Sequence, residues 1–90
     1  MKIVESVKFK KSLKNILFYI AKDKKSAAIK FKKDLQKIIQ DLKFMPYKYR
    51  KSYFYEKEEV RDLVFRGYVI PYLIDDDKII ILDIFKWRER

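Results

Sequence analysis

The chain has no cysteine and no histidine, and only one glycine and two prolines in 90 residues. Without cysteine there is no disulfide framework and no thiolate metal site. Without histidine there is no imidazole general base, no His-ligated zinc and no His pH switch. No metal or cofactor is expected. Apolar runs such as Ile79–Leu82 are far too short to span a bilayer. The N-terminus, MKIVESVKFKK, alternates charge with β-formers and lacks the apolar h-region of a signal peptide. A cytoplasmic protein, with no membrane partner, is the expectation. Ninety residues suffice for one domain and leave no room for a second.

What is present is strongly patterned. A first strand is expected over about Lys2–Val7. Phe9, Leu13, Ile16, Leu17 and Ile20 then fall on one face of a helix, and Ala27, Phe31, Leu35, Ile38, Ile39 and Leu42 repeat the arrangement. The break between them, Lys22–Ser26, is short and polar, and Ser26 is placed to cap the second helix. Pro46 ends it, because the residue before a proline is pushed out of the helical region. From Val60 the period changes. Val60–Arg66 and Tyr68–Ile74 are β-rich runs separated at Gly67, and Asp75-Asp76-Asp77 makes an acidic turn before Lys78–Trp87. Turn residues between β-branched runs signal a three-strand antiparallel meander. Ile79–Leu82 is apolar on both faces, which suits an interior strand rather than an edge. Pro71 removes one ladder donor within its run, so a bulge or an unpaired edge is expected there. The predicted fold is α+β, in the order β-α-α-β-β-β, with a helical hairpin packed on one face of a small, mostly antiparallel sheet.

That order, carried by Asp34-Leu35 to Pro46, Val60-Arg61-Asp62-Leu63, Gly67–Ile74 and Ile80–Ile84 before a basic end, resembles the RelE/ParE superfamily of type II toxins over nearly the whole chain. The resemblance implies a small toxin held inactive by a cognate antitoxin encoded beside it, in a hetero-oligomer. It also implies a target that differs by branch: RelE-like members cut messenger RNA on the ribosome, and ParE-like members poison DNA gyrase.

Charge is uneven along the chain. Residues 1–51 carry 16 Lys/Arg and 4 Asp/Glu, a net +12, whereas residues 52–90 carry 7 and 9, a net −2. A basic half favours an anionic partner, either nucleic acid or an acidic protein segment. Lysines such as Lys8, Lys10, Lys11, Lys14, Lys30 and Lys37 fill the polar side of the helices and read as a solvated face. Met45–Tyr55 differs: it interleaves Lys48, Arg50 and Lys51 with Tyr47, Tyr49, Tyr53, Phe54 and Tyr55. That composition suits binding a single strand by charge and stacking, or sealing one end of the core. Together with the basic end it yields the candidate target-binding residues Tyr49, Arg50, Lys51, Trp87, Arg88 and Arg90. Asp83, the one charge within the last apolar run, calls for a cationic partner. Arg61 is the expected one, with Arg66 as the alternative.

A ribonuclease would need a proton acceptor, a proton donor and cations for the phosphate. Arg66, Lys86 and Arg88 are candidates for the cations, while acid and base stay unassigned. Three departures from the RelE-like pattern favour the ParE-like branch, which acts by binding. Val69 follows Gly67-Tyr68 where RelE-like enzymes often carry an arginine. The first meander strand offers Arg61 and Arg66 in place of a lysine pair. No tyrosine follows the last strand. Three readings therefore stand: a gyrase inhibitor, a ribosome-dependent endoribonuclease, and a toxin-fold protein that acts only in a repressor complex with its antitoxin.

Overall fold

The computed structural model describes residues 1–87. Strand β1 (Lys2–Glu5) leads into helices α1 (Val7–Asp23) and α2 (Lys25–Gln40), and a 3-10 turn follows at Asp41–Lys43. A long loop then precedes β2 (Val60–Phe65), β3 (Tyr68–Asp75), β4 (Lys78–Ile81) and β5 (Phe85–Lys86). The sheet runs β1-β4-β3-β2, with β1 parallel to β4, the other pairs antiparallel, and β5 added alongside β3. This is the expected α+β order, with one correction. Lys78–Trp87 is not a single strand, because Leu82–Ile84 interrupts it between β4 and β5.

That interruption answers Pro71. Between the pairs Val69↔Phe85 and Tyr72↔Ile81, β3 has two residues, Ile70 and Pro71, while the facing chain has three, Leu82, Asp83 and Ile84. Two residues opposed by three make a bulge. The Pro71 carbonyl still accepts from the Leu82 N–H at 2.9 Å, and the Ile84 N–H is satisfied by its neighbour Asp83 Oδ1 at 2.8 Å.

Helix starts differ from the sequence reading. The first strand stops at Glu5 because Ser6 caps α1: its Oγ accepts from the Phe9 N–H at 3.0 Å and donates to the Leu82 carbonyl at 2.9 Å. Ser26 caps nothing. Lys24, in extended backbone at φ −158°, separates the helices by itself, and α2 is already under way at Lys25 without a side-chain cap. The second apolar stripe is shifted by one residue as well, with Ala28 buried and Ala27 exposed.

Period two sorts the strands. Leu63, Tyr68, Ile70, Tyr72, Ile74, Ile79 and Ile81 face the helices and pack with Phe9, Leu13, Phe31, Leu35, Ile39 and Leu42. Leu82, expected in this core, is half-buried and outside it. The β2–β3 hairpin turns on Arg66 (φ 49°) and Gly67 (φ 84°). Two residues at positive φ match the right-handed twist of the strands, and Gly67 takes that conformation without a Cβ penalty.

Candidate functional site

The loop from Phe44 to Glu59 has no regular structure of its own, and β2 and β3 hold it in place. Buried Tyr72 donates its hydroxyl to the Pro46 carbonyl at 2.6 Å, and burial pushes that phenol's pKa well above its ordinary value. Arg61 Nη1 donates to the Tyr49 carbonyl at 3.1 Å, and its guanidinium lies 4.9 Å from the Tyr47 ring centre. The Asp62 N–H then donates to the Arg50 carbonyl at 3.1 Å, and the Ser52 N–H to the Val60 carbonyl at 2.9 Å. A bridge between Lys51 and Arg61 completes a short extra strip on the β2 edge, which blunts that edge.

Asp62 is the centre of the arrangement. Its carboxylate lies on the sheet face away from the helices and is fully buried; Oδ2 accepts from the Tyr53 N–H at 3.0 Å and faces Arg50 Nη2 at 3.6 Å. The Arg50 guanidinium sits 4.2 Å from the Tyr53 ring centre and 5.0 Å from that of Trp87, both within cation–π range. Trp87 also meets Phe54 at 6.2 Å, and Phe54 meets Phe85 edge-on at 5.0 Å. The loop therefore crosses under the sheet and meets the end of the chain there. Arg50 Nε, Arg50 Nη2 and Asp62 Oδ1 are buried without a hydrogen-bond partner, so Arg50 is held mainly by charge and ring faces. Tyr53 is 72% exposed and Trp87 41%, leaving an aromatic rim around a guanidinium.

Of the candidate target-binding residues, the structure brings Arg50 and Trp87 together. It places Tyr49 otherwise, half-buried against the core and edge-on to Tyr72 at 6.5 Å. Lys51 is exposed and pairs with Glu58 at 2.7 Å, a contact that lowers the Glu58 pKa. Arg88 and Arg90 lie outside the described residues.

The expected Arg61–Asp83 pair does not form. Arg61 is drawn to the loop carbonyl, and Asp83, turned out by the bulge, is met from α1. Ser12 Oγ donates to it at 2.9 Å and Lys8 Nζ lies at 3.6 Å. The alternative, Arg66, is engaged by Asp34 of α2. Asp34 also bonds Lys30 at 3.1 Å, and the bonds from Lys30 and then Arg66 hold its carboxyl below the ordinary range. Of the cations proposed for a nuclease, Arg66 is thus tied into a hairpin strut. Lys86 lines a separate cleft of about 530 Å³ between α1 and the β4–β5 segment, along with Ser12, Asn15, Ile16, Tyr19 and Tyr68. Among the described residues no cluster of carboxylates is placed to hold a metal ion, and no helix is long and apolar enough to cross a membrane.

A sequence model of the ParE toxin of the type II toxin-antitoxin system parDE matches residues 3–90. The chain belongs to the ParE toxin family. It is therefore the toxin component of a type II system. Among solved structures it is similar to one described as the chromosomal ParDE TA system from P. aeruginosa, with a TM-score of 0.76 and 20% identity over 96% of this chain and 95% of that one. At that identity the likeness speaks to the fold. No curated protein matches the chain. Two features of this ParE-family toxin were not read from sequence: Asp62 as the anchor of the loop, and the cleft along α1. The second left a trace, since Ser12, Asn15, Ile16 and Tyr19 stand at i, i+3, i+4 and i+7, one stripe of a helix.

Proposed function

We propose that this toxin acts by binding rather than by cutting, that its target is DNA gyrase, and that a cognate antitoxin neutralises it. The observation that supports binding is the convergence of Arg50, Tyr53 and Trp87 into one partly exposed patch. Arg, Tyr and Trp are the side chains that dominate interface energetics, above all when they surround one another at the centre of a patch. Membership of the ParE family supports gyrase as the target. The basic half of the chain supports an acidic antitoxin, whose attraction should weaken as salt rises. On this reading the loop is a contact surface held rigid by Asp62, and Lys51 and the residues after Trp87 supply charge at its rim.

Two assays on purified toxin test the proposal: gyrase supercoiling, and ribosome-dependent cleavage of messenger RNA. Inhibited supercoiling with intact messenger RNA is the expected result. Messenger RNA cuts sensitive to Arg66 and Lys86, with supercoiling unaffected, would overturn it in favour of a nuclease. Neutral outcomes in both, with operator binding only alongside the antitoxin, would leave the repressor reading.

A further inference from the structure

We propose that the cleft between α1 and the β4–β5 segment takes up an extended, acidic segment of the antitoxin, with a carboxylate of that segment received by Lys86. This rests on the reading that an antitoxin neutralises the toxin, and it adds the place and chemistry of that contact.

The cleft is rich in donors. Lys86, Asn15, Tyr19 and Tyr68 all line it, and none of their side chains makes a hydrogen bond or ion pair with any described residue. Tyr68 is notable because its ring is buried against Phe31 while its hydroxyl has no partner. Asp83, the one carboxylate on the wall, is already satisfied by Ser12, Lys8 and the Ile84 N–H, so it offers little competition for these donors. An ammonium, two phenols and an amide over a floor of Ile16, Ile84 and Phe85 suit a carboxylate on an otherwise apolar segment.

The backbone suits an extended segment. The Trp87 N–H donates to the Gly67 carbonyl at 2.9 Å. Alternate residues of an antiparallel ladder face the partner strand, so the N–H and C=O of Lys86 point away from β3. The neighbouring strand β1 ends at Glu5, opposite Ile81, and among the described residues nothing pairs with the outer edge of β5. A free edge beside a groove is where a strand can add. Along α1 the cleft continues past Tyr19 to Ile20, Lys22 and Asp23. Phe18 and Tyr19, 68% and 67% exposed, supply apolar contact on the way.

The test uses the full-length toxin and the antitoxin encoded with it, titrated by calorimetry. Asn15→Trp fills the cleft, Tyr19→Asp repels a carboxylate, and Lys86→Glu reverses the receiving charge. Lys33→Glu on α2 makes the same charge change away from the cleft. Each cleft variant is expected to weaken antitoxin binding by about tenfold or more, with Lys33→Glu changing it far less. Asn15→Trp and Tyr19→Asp should still inhibit growth when expressed without the antitoxin, and circular dichroism should show both folded. Wild-type-like affinity in Asn15→Trp and Tyr19→Asp would overturn the site while leaving neutralisation intact. Equal losses in Lys86→Glu and Lys33→Glu would reduce it to net charge and overturn it too. Failure of the wild-type toxin to bind would overturn the neutralisation reading itself.

Discussion

Replacing Asp62 with alanine should destabilise the toxin by about 2–4 kcal/mol and detach Trp87 from the loop. Two contributions set that range. The Tyr53 N–H loses a charged acceptor at 3.0 Å, and such bonds contribute roughly 1.5–3 kcal/mol. The Arg50 guanidinium loses its counter-charge at 3.6 Å while Nε and Nη2 stay buried. Breaking a fully buried pair costs about 3–5 kcal/mol, but the Arg50 side chain is 35% exposed and can swing to water, so its share is well below that. The vanished desolvation cost of a fully buried carboxylate offsets part of the sum. Trp87 is the only tryptophan, so its emission reports this cluster alone. Urea denaturation should show the earlier midpoint, and native-state emission should shift as the guanidinium and Tyr53 leave the indole. Asp62→Asn should cost less, about 1–2 kcal/mol, because an amide oxygen still serves the Tyr53 N–H. The double replacement Arg50→Met with Asp62→Leu should recover stability, as apolar isosteres of buried pairs do, yet leave the emission altered. An alanine variant within about half a kilocalorie of wild type, with unchanged emission, would refute the account.

Three other outcomes follow from the same contacts. Trp87→Ala should abolish growth inhibition while antitoxin binding, measured by co-purification, persists; loss of both together would mean that the two surfaces are one. Leu35→Ala, at a fully buried position of α2, should cost about 2–5 kcal/mol, and a loss under half a kilocalorie in thermal unfolding would mean that the helix packs on another face. The depressed pKa of Asp34 makes the α2–hairpin strut acid-sensitive. A carboxyl whose folded pKa lies below its unfolded value of roughly 4 adds stability above that value and loses it as pH falls through the folded one. Asp34→Asn should therefore flatten the acid limb of the stability profile and leave the neutral region's slope unchanged.

Much of the fold was legible because periodicity is a local signal. The stripe Phe31, Leu35, Ile39, Leu42 fixes the buried face of α2 without reference to any partner, and Pro71 announces a bulge because a missing N–H is a property of that residue alone. The misreadings are non-local. Ser6 and Ser26 are equally plausible caps in sequence, but Ser6 wins by also donating to Leu82, 76 positions away. Asp83 was assigned to an arginine on the sheet, whereas the bulge turns it toward Lys8 and Ser12 on α1. Arg61 and Arg66 had equal claims in sequence, and their partners, a loop carbonyl and Asp34, are set by how the loop and α2 pack on β2. The Arg50–Trp87 meeting was the least legible, since both segments stood out by composition and nothing local says that they touch.

The two surfaces are joined by very little chain. Phe85 pairs with Val69 and Lys86 with Tyr68, so alternation puts Phe85 on the face that carries Phe54 and Trp87, and Lys86 on the helix face with the cleft. On the proposed readings, target contact and antitoxin contact therefore lie on opposite sides of one two-residue strand. An antitoxin segment in the cleft need not cover the aromatic patch to disable it. Seated against Lys86, it can reset β5, and with β5 the indole that stacks on Arg50. The bulge matters to this coupling, because Leu82–Ile84 frees β5 from the register of β4 and leaves it held by β3 alone. A continuous β4–β5 strand, locked to β4's register, would transmit no such shift.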